Sequence, residues 1–383
     1  MDHPPLRVGM AGYAFMGRAH AQAWQAVNRV YRLPLHTELA VIAGRDSSAV
    51  ADAAGRLGFR EHTTDWRDLI ARDDIDVIDV CTPGDTHAEI TLAALAAGKH
   101  VLCEKPLANS VAEAEEMVRA AENARAAGVR AMCGFNYRRL PAVTLLRDMI
   151  AAGRLGGIRH VRAAYLQDWI VDPEFPLTWR LRRETAGTGA LGDIGAHIVD
   201  LTQFVTGQRL TGVSALTETF IRERPVREGA TETGPVTVDD AALFLGRLSG
   251  GAVATYEATR MATGRRNALR VEVNGTRGSA AFDLERLNEL EFHDATLPRG
   301  EQGFTRILVT ETEHPYLDGW WPPGHILGYE HSFTHEIRDF VEAIAAGTDP
   351  EPSFRDALGV QRVLEAVLAS AAAGSGWTPV AAE

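Results

Sequence analysis

The stretch Leu6-Arg7-Val8-Gly9-Met10-Ala11-Gly12-Tyr13-Ala14-Phe15-Met16-Gly17 decides the fold. An apolar strand is predicted over residues 6–11, and a helix is predicted to begin at Gly17. A glycine-rich turn between a strand and a helix is where backbone N–H groups hold the pyrophosphate of a dinucleotide. In the pattern G-x-A-x-x-G, Gly12 supplies the tight turn and Gly17 the close helix–strand contact. Ala14 takes the middle position, where glycine is usual.

Strands and helices alternate from this turn to about residue 135. The predicted elements that follow are helix 17–27, strand 39–43, helices 47–57 and 66–70, strand 77–81, helix 87–97, strand 100–103, helix 111–127 and strand 130–134. Short apolar strands alternating with helices indicate a parallel sheet covered on both faces. We therefore predict an α/β fold whose N-terminal domain, residues 1–135, is a doubly wound Rossmann domain that binds NAD(P).

After residue 136 strands follow one another without helices between them. They are predicted at 158–165, 212–221, 240–248, 252–259, 269–274, 278–283 and 289–293, with hairpin turns at Gly250-Gly251 and Asn274-Gly275. This order predicts a C-terminal α/β domain, residues 136–383, with a large open, mostly antiparallel sheet that binds substrate. Residues 299–328 are predicted to be a long irregular loop, followed by helices 329–346 and 355–373. A helix at 192–206 is predicted near the start of the sheet.

Apolar residues fall on both faces of the predicted strands 252–259 and 269–273. One face of an open sheet must be covered by the domain, so apolar residues on the other face need a partner. We expect a homo-oligomer, a dimer or a tetramer, that associates through this sheet.

The composition excludes several classes of partner. The chain has 39 Lys and Arg against 51 Asp and Glu, a formal net charge of −12, which disfavours nucleic acid and anionic membranes. The first five residues lack the pattern of a signal peptide, and no stretch approaches the roughly 18 apolar residues of a membrane span.

Cys81, Cys103 and Cys133 lack the spacing of metal ligands, which indicates buried, reduced thiols in a cytoplasmic protein.

The end of the second strand reads Ala43-Gly44-Arg45-Asp46. A carboxylate here holds the ribose hydroxyls of NAD, whereas an arginine accepts the 2′-phosphate of NADP. Gly44 stands where the acid is expected, while Arg45 could pair with a phosphate or stack on adenine. Asp46 could still reach the ribose, so the choice between NAD(H) and NADP(H) stays open.

Two further motifs supply residues that hydride transfer requires. Glu104-Lys105-Pro106 places a lysine just after an apolar strand, and Asp193-Ile194-Gly195-Ala196-His197 places a carboxylate and an imidazole on one helix face. Hydride leaves a carbinol carbon only if the hydroxyl proton is also removed, and neutral imidazole suits that step near pH 7. His197 is therefore the predicted base, oriented by Asp193 unless that carboxylate binds a neighbouring hydroxyl, and Lys105 stabilises the alkoxide. No metal is expected at this pair, because Lys105 would face it.

Four motifs together resemble the Gfo/Idh/MocA family of sugar and polyol dehydrogenases: Gly12…Gly17-x-x-His20, Cys81-Thr82-Pro83…His87, Glu104-Lys105-Pro106 and Asp193…His197. The resemblance covers essentially the whole chain. Residues 135–139, 165–169 and 189–193 are most similar to the levoglucosan dehydrogenase branch, among the sugar and inositol dehydrogenases. The resemblance implies oxidation of a ring hydroxyl, at C3 of a pyranose, by a nicotinamide cofactor, and a cis peptide bond before Pro106.

The resemblance also implies the binding residues. Those expected at the cofactor, besides the turn itself, are Phe15, Met16, Thr82, Pro83, His87, Glu104 and Lys105. Those expected at the sugar, besides Asp193 and His197, are Tyr137, Arg138, Gln167, Trp169, Trp179 and Arg180. The segment that follows Trp320 departs from the levoglucosan-type pattern: His325 is expected to reach the sugar, and His331 and His335 to cap a helix. Which sugar is oxidised therefore stays open.

Two other functions use the same residues. In a glycoside-cleaving enzyme, transient oxidation at C3 acidifies the C2 proton, the aglycone is eliminated and bound NAD is restored, with Tyr137 or His325 as the second acid or base. In a sugar-sensing protein the fold would be kept and turnover lost, which Lys105, Asp193 and His197 argue against. Net accumulation of NAD(P)H distinguishes the dehydrogenase from the glycosidase.

Overall fold

The computed structural model describes residues 5–382, which form two compact units. The first unit extends to Arg139 and takes in Gly328–Leu358, and the second comprises Leu140–Leu327 and the residues from Gly359 onward. The first change of unit therefore lies close to the boundary expected at residue 135.

The first unit has the expected alternating order. Its strands are β1 (Leu6–Ala11), β2 (Thr37–Ala43), β3 (Glu61–Thr63), β4 (Val77–Val80), β5 (His100–Glu104) and β6 (Ala131–Gly134). Its helices before Arg139 are α1 (Phe15–Val30), α2 (Ser47–Leu57), α3 (Arg67–Ile70), α4 (His87–Ala96) and α5 (Val111–Arg125). Within residues 5–382, β1–β6 pair in parallel in the order β3-β2-β1-β4-β5-β6, the order of a doubly wound Rossmann sheet. The fold class is thereby confirmed for this unit.

The second unit is built on a sheet with many more strands, here called the mixed sheet. Its elements, with those that follow to the end of the chain, are α6 (Pro141–Ala151), β7 (Ile158–Leu166), α7 (Arg183–Ala186), α8 (Ala196–Thr206), β8 (Leu210–Glu218), β9 (Glu223–Pro225), β10 (Thr233–Pro235), β11 (Ala241–Leu248), β12 (Val253–Thr259), β13 (Ala268–Gly275), β14 (Gly278–Asp283), β15 (Glu289–Asp294), β16 (Phe304–Leu308), α9 (His331–Ala346), α10 (Phe354–Ala372) and β17 (Thr378–Pro379). The strand order is β16-β15-β14-β13-β7-β12-β11-β8-β17. Across the described part of the chain all these neighbours are antiparallel except β7 and β12, which confirms a large, mostly antiparallel sheet.

The predicted second domain, residues 136–383, includes α9, but in the structure α9 belongs to the first unit. Its apolar face packs against α1. The rings of Phe333 and His20 lie 5.5 Å apart, and those of Phe340 and Trp24 lie 6.5 Å apart. Without α9 the buried aromatic face of α1 would be exposed, so the segment returns to cover it.

Two local predictions were wrong. The segment expected to be an irregular loop contains β16, which pairs with β15. This strand was missed because it buries no apolar face: Thr305 and Arg306 are exposed, and its pairing rests on backbone hydrogen bonds. Asn274 and Gly275 end β13 rather than form its turn, which Thr276 and Arg277 make. Gly275 is required for another reason, since a Cβ there would collide with the carbonyl oxygen of Leu155.

Helices α6 and α8 cover one face of the mixed sheet, and the other face is open. On β12, Ala254, Tyr256 and Ala258 are buried and the residues between them are exposed. On β13, Leu269, Val271 and Val273 are buried on the covered face and the residues between them are polar, contrary to expectation. On β12 the expectation holds for Val253, which is 45% exposed on the open face. Strands β8 and β11 add further exposed apolar residues to this face: Leu216 is 57% exposed, Leu243 43% and Leu245 56%.

The remaining features of composition agree with the structure where it tests them. Cys81, Cys103 and Cys133 are buried free thiols, as expected. Every helix within residues 5–382 is too short or too polar to span a bilayer. The cytoplasmic location stays a prediction.

Candidate active site

Two glycines shape the turn between β1 and α1 in the first unit. Gly12 has a φ of 103°, and a Cβ there would lie 2.7 Å from the carbonyl oxygen of Cys81. A Cβ on Gly17 would collide with the carbonyl oxygen of Gly12. Glycine is required at both positions, and the alanine at the N-cap, Ala14, offers α1 no side-chain cap. The turn thus fits a dinucleotide pyrophosphate, which the N–H groups that begin α1 would hold.

The end of β2 is shaped by Tyr13, whose ring occupies the space that a Cβ on Gly44 would need. An acidic side chain at residue 44 therefore has no room. Oδ1 of Asp46 accepts hydrogen bonds of 2.9 Å from the N–H of Ala49 and the hydroxyl of Ser48. These bonds cap α2 and lower the pKa of Asp46. The contacts predicted for Arg45 and Asp46 with the adenosine part of the cofactor stay predictions.

A cluster of buried polar side chains lies where β4 and β5 end. Nδ1 of His20 lies 3.0 Å from both carboxylate oxygens of Asp79, and Nε2 lies 3.0 Å from Oε1 of Glu104. The indole N–H of Trp24 donates to Oδ2 of Asp79 at 2.7 Å, and the thiol of Cys81 donates to Oδ1 of Asp79 at 3.4 Å. Burial lowers the pKa of His20, but the Asp79 carboxylate raises it, and the net pKa is well above the usual value. His20 is therefore an imidazolium between two carboxylates.

His20, Asp79 and Cys81 lie close enough to share a metal ion, but hydrogen bonds within the cluster already use each of their ligand atoms. We therefore describe the cluster as a hydrogen-bonded network.

Glu104 links this network to Lys105. Its Oε2 accepts the backbone N–H of Lys105 at 2.9 Å, so each carboxylate oxygen has a protein partner. Glu104 is buried, whereas Lys105 is half-buried. The peptide bond between Lys105 and Pro106 is cis, as the resemblance implied. The carboxylate of Glu104 thus holds the turn, and the expected approach of Glu104 to the nicotinamide stays a prediction.

His87, at the start of α4, also contacts the Glu104-Lys105-Pro106 turn. Its Nδ1 lies 3.0 Å from the carbonyl oxygen of Pro106, and its Nε2 lies 2.9 Å from that of Thr82. A carbonyl oxygen only accepts, so both ring nitrogens must carry a proton. Burial alone would lower the pKa of His87, but the sulfur of Cys103 and the two carbonyls raise it to about 9. Both nitrogens are used within the protein, so His87 ties the residues after β4 to the turn at Pro106, and its contact with the cofactor stays a prediction.

An aromatic group adjoins the cofactor turn in the first unit. The ring of Tyr329 lies 6.4 Å from Phe15 in a stacked arrangement, 6.2 Å from Tyr137 and 5.2 Å from Phe333. Phe15 is mostly exposed, as suits a residue that contacts a ligand, whereas Tyr137 and Arg138 are buried. Tyr329 was not expected, because nothing in the local sequence pattern distinguishes it from a surface tyrosine.

The second unit carries Asp193 and His197. Residues Leu191–Gly195 form a single π-helical turn that runs directly into α8, where His197 lies in the first turn. Single π turns within α-helices are frequent at functional sites. The ring of His197 lies 5.9 Å from that of Tyr165 on β7. The structure thus confirms the helical setting of the pair and places it over the sheet.

Glycines allow this turn to pack closely. A Cβ on Gly189 would collide with the backbone carbonyl of Asp239, and a Cβ on Gly195 would lie 3.3 Å from Ala258 on β12. The carboxylate of Asp239 accepts the N–H groups of Gly189 and Leu191 at 2.7 and 2.8 Å. Burial raises the pKa of this carboxyl. The π turn is therefore held at its start by the carboxylate of Asp239 and at its end by close packing of Gly195 on β12.

Arg260, which follows β12, is a site residue that the sequence did not reveal. It is completely buried, and its Nη1 lies 3.4 Å from Oδ2 of Asp193. Its guanidinium carbon also lies 5.4 Å from the ring centre of Trp169. In the sequence, Arg260 is only an arginine directly after the predicted strand 252–259, which does not indicate burial or an ion-pair partner.

A row of polar side chains runs along the end of β7. Asn267 accepts hydrogen bonds of 2.7 Å from the hydroxyl of Tyr165 and from the amide of Gln167, and Trp169 donates to Gln167 at 2.9 Å. Gln167 and Trp169, both expected at the sugar, are thus brought together with Tyr165, the neighbour of His197. Asn267 was missed.

The remaining predicted sugar ligands are placed separately. Trp179 and Arg180 lie on the short helix Trp179–Leu181, and the guanidinium stacks 4.3 Å from the Trp179 ring centre. His325 is exposed and its Nδ1 lies 2.8 Å from the carbonyl oxygen of Pro322. His331 begins α9 and accepts the N–H of Gly328, as a capping residue does. Contacts of Trp179, Arg180 and His325 with a sugar stay predictions.

Comparison with known proteins agrees with these motifs. Residues 6–134 match the model of the oxidoreductase family with an NAD-binding Rossmann fold, and residues 143–281 match that of the GFO/IDH/MocA C-terminal domain. The chain belongs to the Gfo/Idh/MocA family. As a member of it, the protein is an NAD(P)-dependent oxidoreductase acting on CH–OH groups.

Three relatives match the chain over almost its whole length. Levoglucosan dehydrogenase of Pseudarthrobacter phenanthrenivorans is 40% identical over 98% of both chains. The crystal structure of an oxidoreductase domain protein from Kribbella flavida is 60% identical, with a TM-score of 0.96 over 99% of this chain and 100% of that one. A levoglucosan dehydrogenase in complex with NADH and levoglucosan is 40% identical, with a TM-score of 0.94 and the same coverage. The expected resemblance to the levoglucosan branch of the Gfo/Idh/MocA family is confirmed.

Proposed function

We propose that the protein oxidises a ring hydroxyl of a sugar, an anhydrosugar or a cyclitol, at C3 where the ring is a pyranose. The observation that carries this proposal is that Asp193, on a π turn, lies four residues before His197 in the first turn of α8 and is held by the buried Arg260. It occurs in a chain that is 40% identical over its length to levoglucosan dehydrogenase.

His197 acts as the base in this proposal. It takes the hydroxyl proton, and the C–O bond becomes a carbonyl as the carbon loses hydride. The turn at Gly12 and Gly17 would hold NAD(P)⁺, which would supply the hydride acceptor. The ammonium group of Lys105 stabilises the negative charge that develops on the oxygen. Asp193 orients His197 or binds the neighbouring hydroxyl, and Arg260 sets the direction in which its carboxylate points.

The sugar contacts are proposed for the side chains that the structure groups near His197. The hydroxyl of Tyr165 and the amide of Gln167 share Asn267 as acceptor, and Trp169 bonds Gln167. Amide groups and aromatic faces are the groups that bind the hydroxyls and C–H surfaces of sugars. Tyr137, Arg138, Trp179, Arg180 and His325 are proposed as further contacts on the resemblance alone.

We also propose that the protein is a homo-oligomer that associates through the open face of the mixed sheet. That face carries exposed leucines on β8 and β11 and a groove of about 1090 Å³. Exposed leucines that cluster on one face mark an interaction surface, whereas isolated ones need no explanation.

The test of the activity follows the absorbance of the reduced cofactor at 340 nm with levoglucosan, glucose and myo-inositol, each with NAD⁺ and with NADP⁺. We expect net formation of NADH or NADPH with at least one ring polyol. For a pyranose we expect slower turnover when C3 carries deuterium than when C2 does. Absence of reduced cofactor with every polyol would overturn the proposal. Release of aglycone from glycosides, without accumulation of NADH, would establish the glycosidase in its place.

A further inference from the structure

We propose that His20 and His87 together form a clamp that positions Lys105 by tying the Glu104-Lys105-Pro106 turn to the end of β4. The proposal rests on the proposed role of Lys105 in the oxidation. Both histidines are positioning residues, since each acts on the backbone around Lys105.

The two histidines bridge the same two segments. His20 spans from Asp79 on β4 to Glu104, with contacts of 3.0 Å at each end. His87 spans from Thr82, just beyond β4, to Pro106, with contacts of 2.9 and 3.0 Å. The bridges therefore reach the residues immediately before and after Lys105. The N–H of Lys105 itself donates to Glu104 at 2.9 Å.

The turn needs such bridges because the sheet no longer supports it. The pairing of β4 with β5 ends at Val80 and Cys103, and that of β5 with β6 ends at Glu104 and Gly134. Beyond these residues ladder hydrogen bonds no longer fix the backbone, so side chains must hold it.

Both rings must donate from both nitrogens for the clamp to hold. Two carboxylates face His20, and two backbone carbonyl oxygens face His87. An ionised carboxylate and a carbonyl oxygen can each only accept a hydrogen bond, so the ring nitrogens must donate. Both rings are buried, so water does not replace a lost bond cheaply. A histidine that served packing alone would need one such contact at most, whereas here all four ring nitrogens reach the two segments.

The first test is a double-mutant cycle with Lys105. We expect His20→Leu and His87→Leu each to lower kcat by about 30-fold in the wild-type background. In a Lys105→Met background each should lower kcat by less than about 3-fold, because the effects of residues that act as a unit do not add. The Kd for NADH, measured by fluorescence, should change by less than about 3-fold in His20→Leu. In His87→Leu, whose ring is also expected at the cofactor, the same Kd separates a loss of cofactor binding from a loss of kcat. His335→Leu is the matched control: His335 is also a buried histidine of the first unit, but it contacts Arg139 and not the turn.

Equal losses of kcat in the two backgrounds would overturn the clamp. Wild-type turnover in Lys105→Met alone would instead overturn the proposed function. The clamp is then decided by hydrogen exchange in peptides that cover residues 104–108. We expect faster exchange in both clamp variants and no change in His335→Leu, and unchanged exchange in the clamp variants would contradict the proposal. If the leucine variants do not fold, His20→Gln and His87→Gln, which keep one donor, take their place with the same expected directions.

Discussion

Arg260 and Asp193 form an ion pair in which one partner is completely buried and the other is 29% exposed, with 3.4 Å between Nη1 and Oδ2. The arginine reaches this position from the end of β12, and Asp193 reaches it from a π turn. A carboxylate beside an exposed surface is ordinarily free to rotate, and the buried guanidinium restricts it. The pair thus links the rigid sheet to the residue that is proposed to orient His197.

Replacing Arg260 should therefore affect catalysis through Asp193. We expect Arg260→Met to lower kcat/KM by about tenfold or more, because the carboxylate loses the charge that orients it. Arg260→Lys should recover only part of this loss, since a lysine cannot span Asp193 and Trp169 as a planar guanidinium does. Steady-state kinetics measures both, with the exposed Arg247→Met on β11 as control. Wild-type kcat/KM in Arg260→Met would show that the ion pair is structural only.

The proposed chemistry assigns separable roles to Lys105 and His197. We expect Lys105→Ala and His197→Ala each to lower kcat by on the order of 10² or more, since each removes charge stabilisation or proton transfer. NADH binding, followed by fluorescence, should survive in both. A variant that turns over at the wild-type rate would remove that residue from the chemistry.

Arg45 should govern the use of NADP⁺ more than that of NAD⁺. The ring of Tyr13 occupies the space that an acidic side chain at residue 44 would need, and Arg45 is the cation that the end of β2 offers to a 2′-phosphate. We expect Arg45→Ala to raise KM for NADP⁺ by about fivefold or more and KM for NAD⁺ by less than about twofold. Equal changes in the two KM values would place Arg45 outside the 2′-phosphate site.

Glu336 on α9 should make stability depend on pH. Burial raises the pKa of this carboxyl to about 8, with only partial compensation from Arg139, and among the described residues neither of its oxygens has a hydrogen-bond partner. The native state therefore holds a proton that the unfolded state releases near pH 4.5, so stability falls as pH rises from about 4.5 to about 8.

Glu336→Gln removes this dependence. We expect the free energy of unfolding of Glu336→Gln to exceed that of the wild type by more at pH 8 than at pH 5. Denaturant titrations at the two pH values measure this difference. Glu342→Gln, a change in an exposed residue of the same helix, serves as control. A gain that is the same at both pH values would mean that Glu336 is ionised in the folded protein.

The open face of the mixed sheet should control assembly. Leu245 is 56% exposed on β11, at the centre of the proposed interface. We expect Leu245→Glu to shift the protein to monomers, because a buried, unpaired carboxylate opposes association. Sedimentation velocity measures this, with Leu297→Glu as control, because Leu297 is an exposed leucine in the loop that follows β15. An unchanged assembly would place the interface elsewhere.

The sequence predicted what local patterns determine. The turn at Gly12 and Gly17 and most strands are fixed by neighbouring residues, so they were found. Strand β3 has three residues without an apolar pattern, and β9 and β10 are as short, so they were missed. Arg260, Asn267 and Tyr329 were missed because their partners are distant in sequence. No spacing rule connects Arg260 to Asp193.

The return of α9 to the first unit constrains how this enzyme can be cut or recombined. The chain passes between the units after Arg139, after Leu327 and after Leu358. A fragment that stops at Arg139 keeps every strand of the parallel sheet but lacks the helix that covers Trp24, so it would expose an aromatic surface and aggregate. Exchange of cofactor specificity between relatives by swapping N-terminal halves must therefore carry Gly328–Leu358 as a second insert.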